Sequence, residues 1–126
     1  NEKDLLPYCA AEDIGTLVYS PLCKGLLTGK YKGDEEFEDF RGRIGMFQGE
    51  RLKELAGRVH DLKPIAEKYD LTITQLILAT TIQHPLIDVA IVGIKSPAQI
   101  EDAAGAVGKE ISREDYYKVR STLGTA

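Results

Sequence analysis

Val-Ala-Ile-Val-Gly-Ile-Lys-Ser-Pro-Ala-Gln, residues 89–99, places a strand, a basic residue and the start of a helix side by side. Its apolar first half has no helical period and predicts a buried strand over 89–93. Ser96, Pro97 and Gln99 then supply an N-cap, a first-turn proline and the partner of a capping box. A strand that passes almost directly into a helix is typical of the α/β class.

The rest of the chain extends this α/β pattern. The run Thr-Leu-Val-Tyr predicts a second buried strand over 16–20, and Pro64 predicts a kink or a junction between two helices. The other predicted segments are the end of a helix over 1–12, an irregular loop over 22–49, helices over 50–83 and terminal helices over 96–123. The helices over 50–83 include a Thr72–Gln75 capping box. The first terminal helix runs to Val107, and Ser112 and Asp115 open the last one. Strands that alternate with long helices pair in parallel. Two strands alone do not make a stable parallel sheet, so further strands are expected from elsewhere.

Composition argues against several classes of protein. The chain has 126 residues, 43% of them hydrophobic, and a net charge of −4, which argues against disorder and against non-specific binding to nucleic acid. No apolar run is long enough to span a membrane, and no signal peptide opens the sequence. Cys9 and Cys23 are too few for a disulfide framework or a structural zinc site, so we expect a soluble cytoplasmic protein with reduced thiols. Met46 is the only methionine and the chain opens at Asn1, so we expect a processed chain or a piece of a longer one.

The first candidate site follows the strand over 89–93. Gly93 ends the strand, Lys95 follows and a capped helix begins, which predicts an anion site made by the helix N-terminus and the lysine charge. In α/β proteins ligands bind beyond the carboxyl ends of the strands, and this segment lies there. The alternative is that Ser96 only caps the helix and Lys95 is a solvated surface residue.

The second candidate site follows the strand over 16–20. The ring of Tyr19 can stack on an aromatic ligand, Gly25 permits close approach of the backbone, and Lys24 or Lys30 can meet a phosphate. The alternative is an ordinary Ser-Pro turn with Tyr19 in the core.

These two segments carry a family resemblance. Residues 19–31, Tyr-Ser-Pro-Leu-Cys-Lys-Gly-Leu-Leu-Thr-Gly-Lys-Tyr, resemble the motif after the seventh strand of the aldo-keto reductases. Residues 92–102, Val-Gly-Ile-Lys-Ser-Pro-Ala-Gln-Ile-Glu-Asp, are similar to the eighth strand and following helix of that family, and the pattern from Leu62 to Leu76 also fits. The resemblance covers the whole chain and implies an α/β fold, the C-terminal part of a (β/α)8 TIM barrel that is incomplete on its own. The helix over 1–12 would then be the end of helix six, and the strands would be strands seven and eight.

The resemblance also implies a set of cofactor-binding residues. Tyr19 would lie under a nicotinamide ring, and Lys30 and Arg41 would belong to the loop over 22–49 that closes over the cofactor, with Arg43 as the alternative to Arg41. The pyrophosphate would be lined by Ser20, Pro21, Leu22 and Gly25. The adenosine end would be met by Lys95 at the 2′-phosphate, Ser96 in support, Gln99 beside the adenine or ribose, and Asp102 at the adenine, with Gly93 at the end of the strand. Ala103 stands where the family has Asn, and Gln99 where many members have Arg, so the implied preference for NADP leaves NAD open.

The implied function is that of a complete NADP(H)-dependent oxidoreductase, which moves a hydride between the nicotinamide and a carbonyl or alcohol. The catalytic Asp, Tyr, Lys and His of the family come from the first half of the barrel and have no counterpart here, so no residue is assigned as catalytic and the chain alone is expected to be inactive. Two alternatives remain, a non-catalytic nucleotide-binding or regulatory module and a helical interaction domain without a ligand. Without the rest of a barrel, exposed strands are expected to make the isolated chain self-associate.

Other chemically active residues are given structural explanations. His60 and His84 are expected to be structural or solvated, and Cys9 a small buried apolar residue. Cys23 lies on the loop over 22–49 and is a candidate reactive thiol, although nothing in the nearby sequence argues for a lowered pKa. The acidic run over 34–39 is interpreted as a solvated loop face rather than a metal site.

Overall fold

The computed structural model describes residues 2–124, in which six α-helices and two short β-strands follow one another. The helices are α1 (Leu5–Ala11), α2 (Gly49–His60), α3 (Lys63–Lys68), α4 (Ile73–Ile82), α5 (Pro97–Ala104) and α6 (Arg113–Leu123). The strands are β1 (Leu17–Tyr19) and β2 (Val89–Ile91), and three 3₁₀ segments occupy Cys23–Thr28, Phe40–Arg43 and Gly45–Phe47. Asn1 of the predicted first helix lies outside the described residues.

The two strands pair in parallel, as predicted, with Tyr19 opposite Ile91 at their ends. Their register is fixed where they begin. The Thr16 backbone N–H donates to the Asp88 carboxylate at 2.6 Å, and the Thr16 hydroxyl donates to the Leu86 carbonyl at 2.8 Å. The carboxyl ends of both strands therefore meet at one edge of the sheet.

The prediction of buried strands does not hold for residues 2–124 by themselves, in which both strands are exposed, as expected for a chain without the rest of a barrel. Leu17 is 63% exposed and Tyr19 82%, while Val89 and Ile91 are about half exposed. A parallel strand is buried only when neighbouring strands and helices cover both of its faces. Within residues 2–124 the sheet contains β1 and β2 alone, so their apolar side chains remain uncovered.

The main hydrophobic core lies between α3, α4 and α6. Leu76 and Ala79 of α4 are fully buried, together with Val119 of α6. The predicted capping box of α4 is confirmed, because the Thr72 side chain accepts from the Gln75 N–H and the Gln75 side chain accepts from the Thr72 N–H. Local hydrogen bonding thus starts this helix, and apolar burial on nearly all of its faces holds it in place.

Two helices meet near Pro64, which confirms one of the two predicted outcomes. Helix α2 ends at His60, and Pro64 lies in the first turn of α3. Proline is tolerated there because the N–H that it lacks would have no helical acceptor in a first turn.

The irregular segment over 22–49 contains no α-helix before Gly49, and it packs around a second core. The buried members of this core are Leu26, Tyr31, Phe47, Leu52 and Ala56. The rings of Tyr31, Phe37 and Phe47 meet edge to face, with centroids 5.2–6.2 Å apart. This second core attaches the long loop to helix α2.

Two local predictions are corrected. Cys9 is only half-buried, because Leu6 is the buried residue of α1 and the rest of that helix faces outward. Helix α5 ends at Ala104 rather than at Val107. The backbone N–H groups that follow donate to the carbonyl three residues earlier instead of four, as the Val107 N–H does to the Ala104 carbonyl. Over residues 2–124, no helix has both the length and the apolar character that crossing a membrane requires.

Candidate functional site

A cleft of about 510 Å³ opens at the carboxyl ends of β1 and β2. It brings the two predicted candidate sites together, because the segment after β1 forms one side and the segment after β2 the other. Ten of the twelve predicted site residues line it: Ser20, Pro21, Leu22, Gly25, Lys30, Arg41, Gly93, Lys95, Gln99 and Asp102. The cleft is also lined by Lys24, Thr28, Asp39, Phe40, Thr74, Val92 and Ile94.

The turn after β1 has a strained backbone. Ser20 and Lys24 both have φ near +57°, in the left-handed region that side chains with a Cβ rarely adopt. Strain of this kind costs roughly 1–2 kcal/mol per residue and is concentrated at functional sites. The strained turn faces the cleft.

Gly25 allows the backbone and Lys30 to approach each other closely. Its φ is +92°, and a Cβ at this position would lie 3.1 Å from the Lys30 ammonium nitrogen and 3.5 Å from the Tyr31 hydroxyl. The ammonium also lies 4.8 Å from the centre of the Tyr31 ring. A side chain at position 25 would therefore crowd a positive charge that lines the cleft.

Arg41 is held by several contacts at the rim of the cleft. Its Nε donates to both carboxylate oxygens of Asp39 at 2.9 and 3.0 Å, and its Nη2 donates to Oδ2 at 2.7 Å. Its Nη1 donates to the buried Tyr31 hydroxyl at 2.6 Å, and the guanidinium lies 4.5 Å from the Phe37 ring centre. The hydrogen bond from Arg41 lowers the pKa of Asp39, to which the positive charge of Lys95 also contributes. Both partners are therefore charged at neutral pH, and the pair stays ionic.

Lys95 stands just before helix α5, as predicted, but the amides around it are already bonded. The Lys95 N–H donates to the Gln99 side-chain oxygen at 2.8 Å, and the Gln99 N–H donates to the Ser96 hydroxyl at 3.4 Å. In a capping box the Gln99 side chain would accept from the Ser96 backbone N–H. Here it accepts from the Lys95 N–H, one residue earlier, so the predicted reciprocal bond does not form. An anion at this point would meet the charge of Lys95 rather than those two amides.

Asp102 lines the cleft with its carboxylate already engaged. The Thr72 hydroxyl donates to Asp102 Oδ1 at 2.9 Å, and the Gln75 side-chain amide donates to the Asp102 carbonyl at 3.0 Å. These bonds link the capping box of α4 to helix α5. Ala103, the neighbouring departure from the family pattern, packs partly buried against the main core.

The lining of the cleft is cationic although the chain is acidic. Four basic residues against two acidic ones give the lining a net charge of +2: Lys24, Lys30, Arg41 and Lys95 against Asp39 and Asp102. The whole chain carries −4. Both carboxylates are neutralised or bonded within the protein, so the lining fits an elongated ligand with several negative charges, such as a dinucleotide.

Two of the predicted site residues lie outside the lining. Tyr19 is the last residue of β1 and is 82% exposed, so the alternative that placed it in the core does not hold within residues 2–124. Ser96 caps α5. Of the two arginine candidates, Arg41 lines the cleft, while Arg43 is exposed and does not.

The remaining reactive side chains lie apart from the lining. His60 Nε2 lies 2.8 Å from the Tyr31 carbonyl, and His84 Nδ1 accepts from the Leu86 N–H at 3.2 Å. Burial raises the pKa of the Cys23 thiol, which keeps it protonated and unreactive at neutral pH. The two hydrogen bonds give His60 and His84 local structural roles, and Cys23 packs partly buried against the second core.

Asp39, Phe40 and Thr74 line the cleft, although sequence reasoning gave none of them a role in a site. Asp39 is the last residue of the acidic run over 34–39, and Phe40 follows it. Phe40 is 58% exposed, with the Lys24 ammonium 5.6 Å from its ring centre. The available signal was the Asp-Phe-Arg order, because an aspartate two residues before an arginine can both cap a turn and pair with it.

Comparison with known proteins gives consistent matches along the chain. The model of the aldo/keto reductase family matches residues 1–123. Aldo-keto reductase YhdN of Bacillus subtilis is 33% identical over 125 residues, which are 97% of this chain and 38% of that protein. The NADH-specific methylglyoxal reductase of Escherichia coli is 30% identical over 119 residues, which are 94% of this chain and 36% of that protein.

A solved structure gives the same result for the fold. The glycerol dehydrogenase AKR11B4 of Gluconobacter oxydans superposes with a TM-score of 0.88 at 27% identity, over 97% of this chain and 38% of that one. This likeness confirms the predicted fold, part of a (β/α)8 barrel. The chain spans little more than a third of the length of the curated relatives named above.

Proposed function

This chain belongs to the aldo/keto reductase family, and from that premise we propose that it is the cofactor-binding C-terminal portion of an NADP(H)-dependent reductase. In the whole protein a bound nicotinamide would supply or accept a hydride, with a carbonyl or alcohol as the small-molecule substrate. The observation that carries the proposal is the cationic cleft at the carboxyl ends of β1 and β2. Loops at that end of a barrel, after strands seven and eight, commonly bind phosphate.

Each side of the cleft has a proposed task. Arg41 and Lys30 bind the pyrophosphate, with the strained turn after β1 bringing its backbone alongside. Lys95 binds the 2′-phosphate, and Gln99 and Asp102 orient the adenine end. Tyr19 reaches the nicotinamide from outside the lining described here. The volume of about 510 Å³ lies within the usual range for ligand clefts, about 300–1,000 Å³.

The preference for NADP over NAD rests on Lys95. NADP differs from NAD by the 2′-phosphate, and the proposal assigns that phosphate to Lys95, which lines the cleft between β2 and α5. Gln99 adds no charge there, so a single side chain carries the discrimination. The NADH-specific methylglyoxal reductase among the relatives makes NAD the alternative to be tested.

Titration of the purified chain with NADPH and NADH by calorimetry tests this proposal. Lys95→Gln should weaken NADPH binding about tenfold or more, because a charged contact to phosphate is lost, and should leave NADH nearly unchanged. Lys109→Gln is the matched control, because it removes the same charge from an exposed residue outside the lining. An equal loss of affinity for NADPH and NADH in Lys95→Gln would contradict the role of Lys95. Failure of the unsubstituted chain to bind either nucleotide would overturn the proposal.

Catalysis distinguishes this proposal from the second candidate, a non-catalytic nucleotide-binding or regulatory module. No residue of this chain is assigned as catalytic, so the 126 residues should not oxidise NADPH with a reactive aldehyde above the buffer rate. Intact-mass analysis of the protein from its source separates the two functions. A product of roughly twice this length or more favours the reductase, as a whole barrel requires, and a natural product of 126 residues that binds NADPH tightly favours the module.

We further propose that the isolated chain self-associates with a second copy. The outer edges of β1 and β2 are unpaired within residues 2–124, and the exposed side chains of Leu17, Tyr19 and Ile91 extend an apolar surface beside them. Open strand edges next to apolar surface favour pairing between chains. Sedimentation velocity should detect dimers or larger species, and a monodisperse monomer would count against the proposal.

We also propose a cytoplasmic location. Cys9 and Cys23 are both free thiols, as expected in a reducing compartment. Fractionation of the source cells tests this location. Recovery of the protein in the secreted or periplasmic fraction would contradict it.

A further inference from the structure

Asp39 is a negative charge placed among the cations of the cleft. It lines the cleft beside Arg41, and its carboxylate receives three hydrogen bonds from the Arg41 side chain at 2.7–3.0 Å. Its Oδ1 also accepts the Arg41 backbone N–H at 2.9 Å, which closes a local turn. The carboxylate is therefore fixed by its own loop and by the guanidinium together.

The guanidinium of Arg41 has few donors left for a ligand. A guanidinium carries five N–H groups, and the bonds to Asp39 and to the Tyr31 hydroxyl use one on each of its three nitrogens. The Phe37 ring covers one face of the group. A phosphate that approaches Arg41 must share the two remaining N–H groups or displace Asp39.

The loop that carries Asp39 is anchored two residues earlier, at Phe37. Tyr31 and Phe37 belong to the aromatic group that also contains buried Phe47, and this group packs on helix α2. The carboxylate thus stays near the cations whether or not an anion arrives. It neutralises one of the positive charges and repels an incoming phosphate.

We propose that Asp39 is an internal competitor for phosphate, which occupies Arg41 in the free protein and sets the affinity of the cleft for polyanionic ligands. The inference rests on the proposed function, because it assigns regulation to the same phosphate site. Its consequence is that a phosphate shares Arg41 with a carboxylate that already occupies it. Ligand is thereby held less tightly, and released more readily, than the cationic lining alone would give.

Asp39→Asn tests the competition directly. Asparagine keeps the side-chain oxygen that accepts the Arg41 N–H, so the turn is retained while the negative charge is removed. Glu38→Gln is the matched control, because it makes the same change in net charge at an adjacent exposed residue outside the lining. Calorimetric titrations of the full chain with inorganic pyrophosphate and with NADPH give the dissociation constants, and circular dichroism melts of the ligand-free proteins check folding.

Asp39→Asn should bind both probes about 3- to 10-fold more tightly than the unsubstituted chain, the effect of removing one repelling charge a few ångströms from a phosphate. Glu38→Gln should stay within twofold. Unchanged or weaker binding by Asp39→Asn, while the unsubstituted chain binds, would overturn the competition and leave the proposed function standing. Failure of both proteins to bind either probe would overturn the proposed function and this inference together. Should Asp39→Asn melt early, Asp39→Ser, which also keeps an acceptor oxygen without charge, provides the same comparison.

Discussion

Replacing Asp115 by Asn should destabilise the protein by about 1–2 kcal/mol at pH 7. The Asp115 carboxylate is 8% exposed and receives hydrogen bonds on Oδ2 from Lys68 at 2.7 Å, from the Tyr69 hydroxyl at 2.6 Å and from the Ser112 hydroxyl at 3.0 Å. These bonds attach the first turn of α6 to α3. Asparagine keeps an acceptor for the Tyr69 hydroxyl but loses the charge that pairs with Lys68.

The magnitude follows from the pKa of Asp115. The bond from Lys68, with those from Tyr69 and Ser112, lowers that pKa from 3.8 to about 2. Each unit of pKa corresponds to about 1.4 kcal/mol of preference for the charged form, which gives an upper bound of roughly 2.5 kcal/mol. Lys68 is 61% exposed, so solvent screens the pair and the expected loss falls to about 1–2 kcal/mol.

The loss should depend on pH in a defined direction. Because the pKa of Asp115 is lower in the folded state, its stabilisation is complete above the unfolded value of 3.8 and disappears as the pH falls toward 2. Urea denaturation followed by circular dichroism should therefore show a difference between the unsubstituted chain and Asp115→Asn that is constant from pH 7 to 5 and shrinks between pH 5 and 2.

Glu114→Gln is the matched control for this prediction. Glu114 is an exposed acid in the same first turn of α6, so its replacement should cost only a few tenths of a kcal/mol. The reasoning is refuted if the two variants lose the same free energy of unfolding at pH 7, or if the Asp115→Asn difference persists undiminished at pH 2.

Two further predictions concern packing. Gly33→Ala should lower the free energy of unfolding by more than about 1 kcal/mol, because φ is +102° and the new Cβ would lie 2.6 Å from the Lys53 Cα. Gly45→Ala is the control and should be nearly neutral, because there is open space around its Cβ. Equal shifts in melting temperature for the two variants would contradict this prediction. Leu76→Ala should cost about 2–5 kcal/mol in urea denaturation because the side chain is fully buried, whereas the volume-conserving Leu76→Met should cost less than about 1.5 kcal/mol. A loss under 1 kcal/mol for Leu76→Ala would mean that this helix is not packed as described.

The candidate site was predictable in outline because its parts lie at strand ends. Tyr19 ends β1, and Gly93 lies two residues beyond the end of β2 rather than at its end as predicted. The parallel pairing of the two strands follows from the alternation of strands and helices. Parallel strands bring their carboxyl ends to one edge, so the two motifs had to meet there. The position of Lys95 follows from that argument, and the structure places it in the cleft.

The details of the site were not predictable from the sequence. Gln99 bonds to the Lys95 N–H instead of the Ser96 N–H, which depends on the exact path of the chain into α5. Asp39 lines the cleft because the aromatic group around Phe47 folds the long loop back over the strand ends. The acidic run is largely exposed, as predicted, but its last residue also lines the cleft, which the sequence did not indicate.

The sequence by itself determined where most of the helices lie, the capping box of α4 and the parallel α/β order, because these depend on hydrogen bonds and apolar spacing within a few residues. The Thr72–Gln75 capping box and the junction at Pro64 are of this kind. Only the tertiary structure decided which faces are covered. The exposure of Leu17 and Tyr19 depends on which segments pack against them, and burial is a property of those distant contacts rather than of the residues themselves.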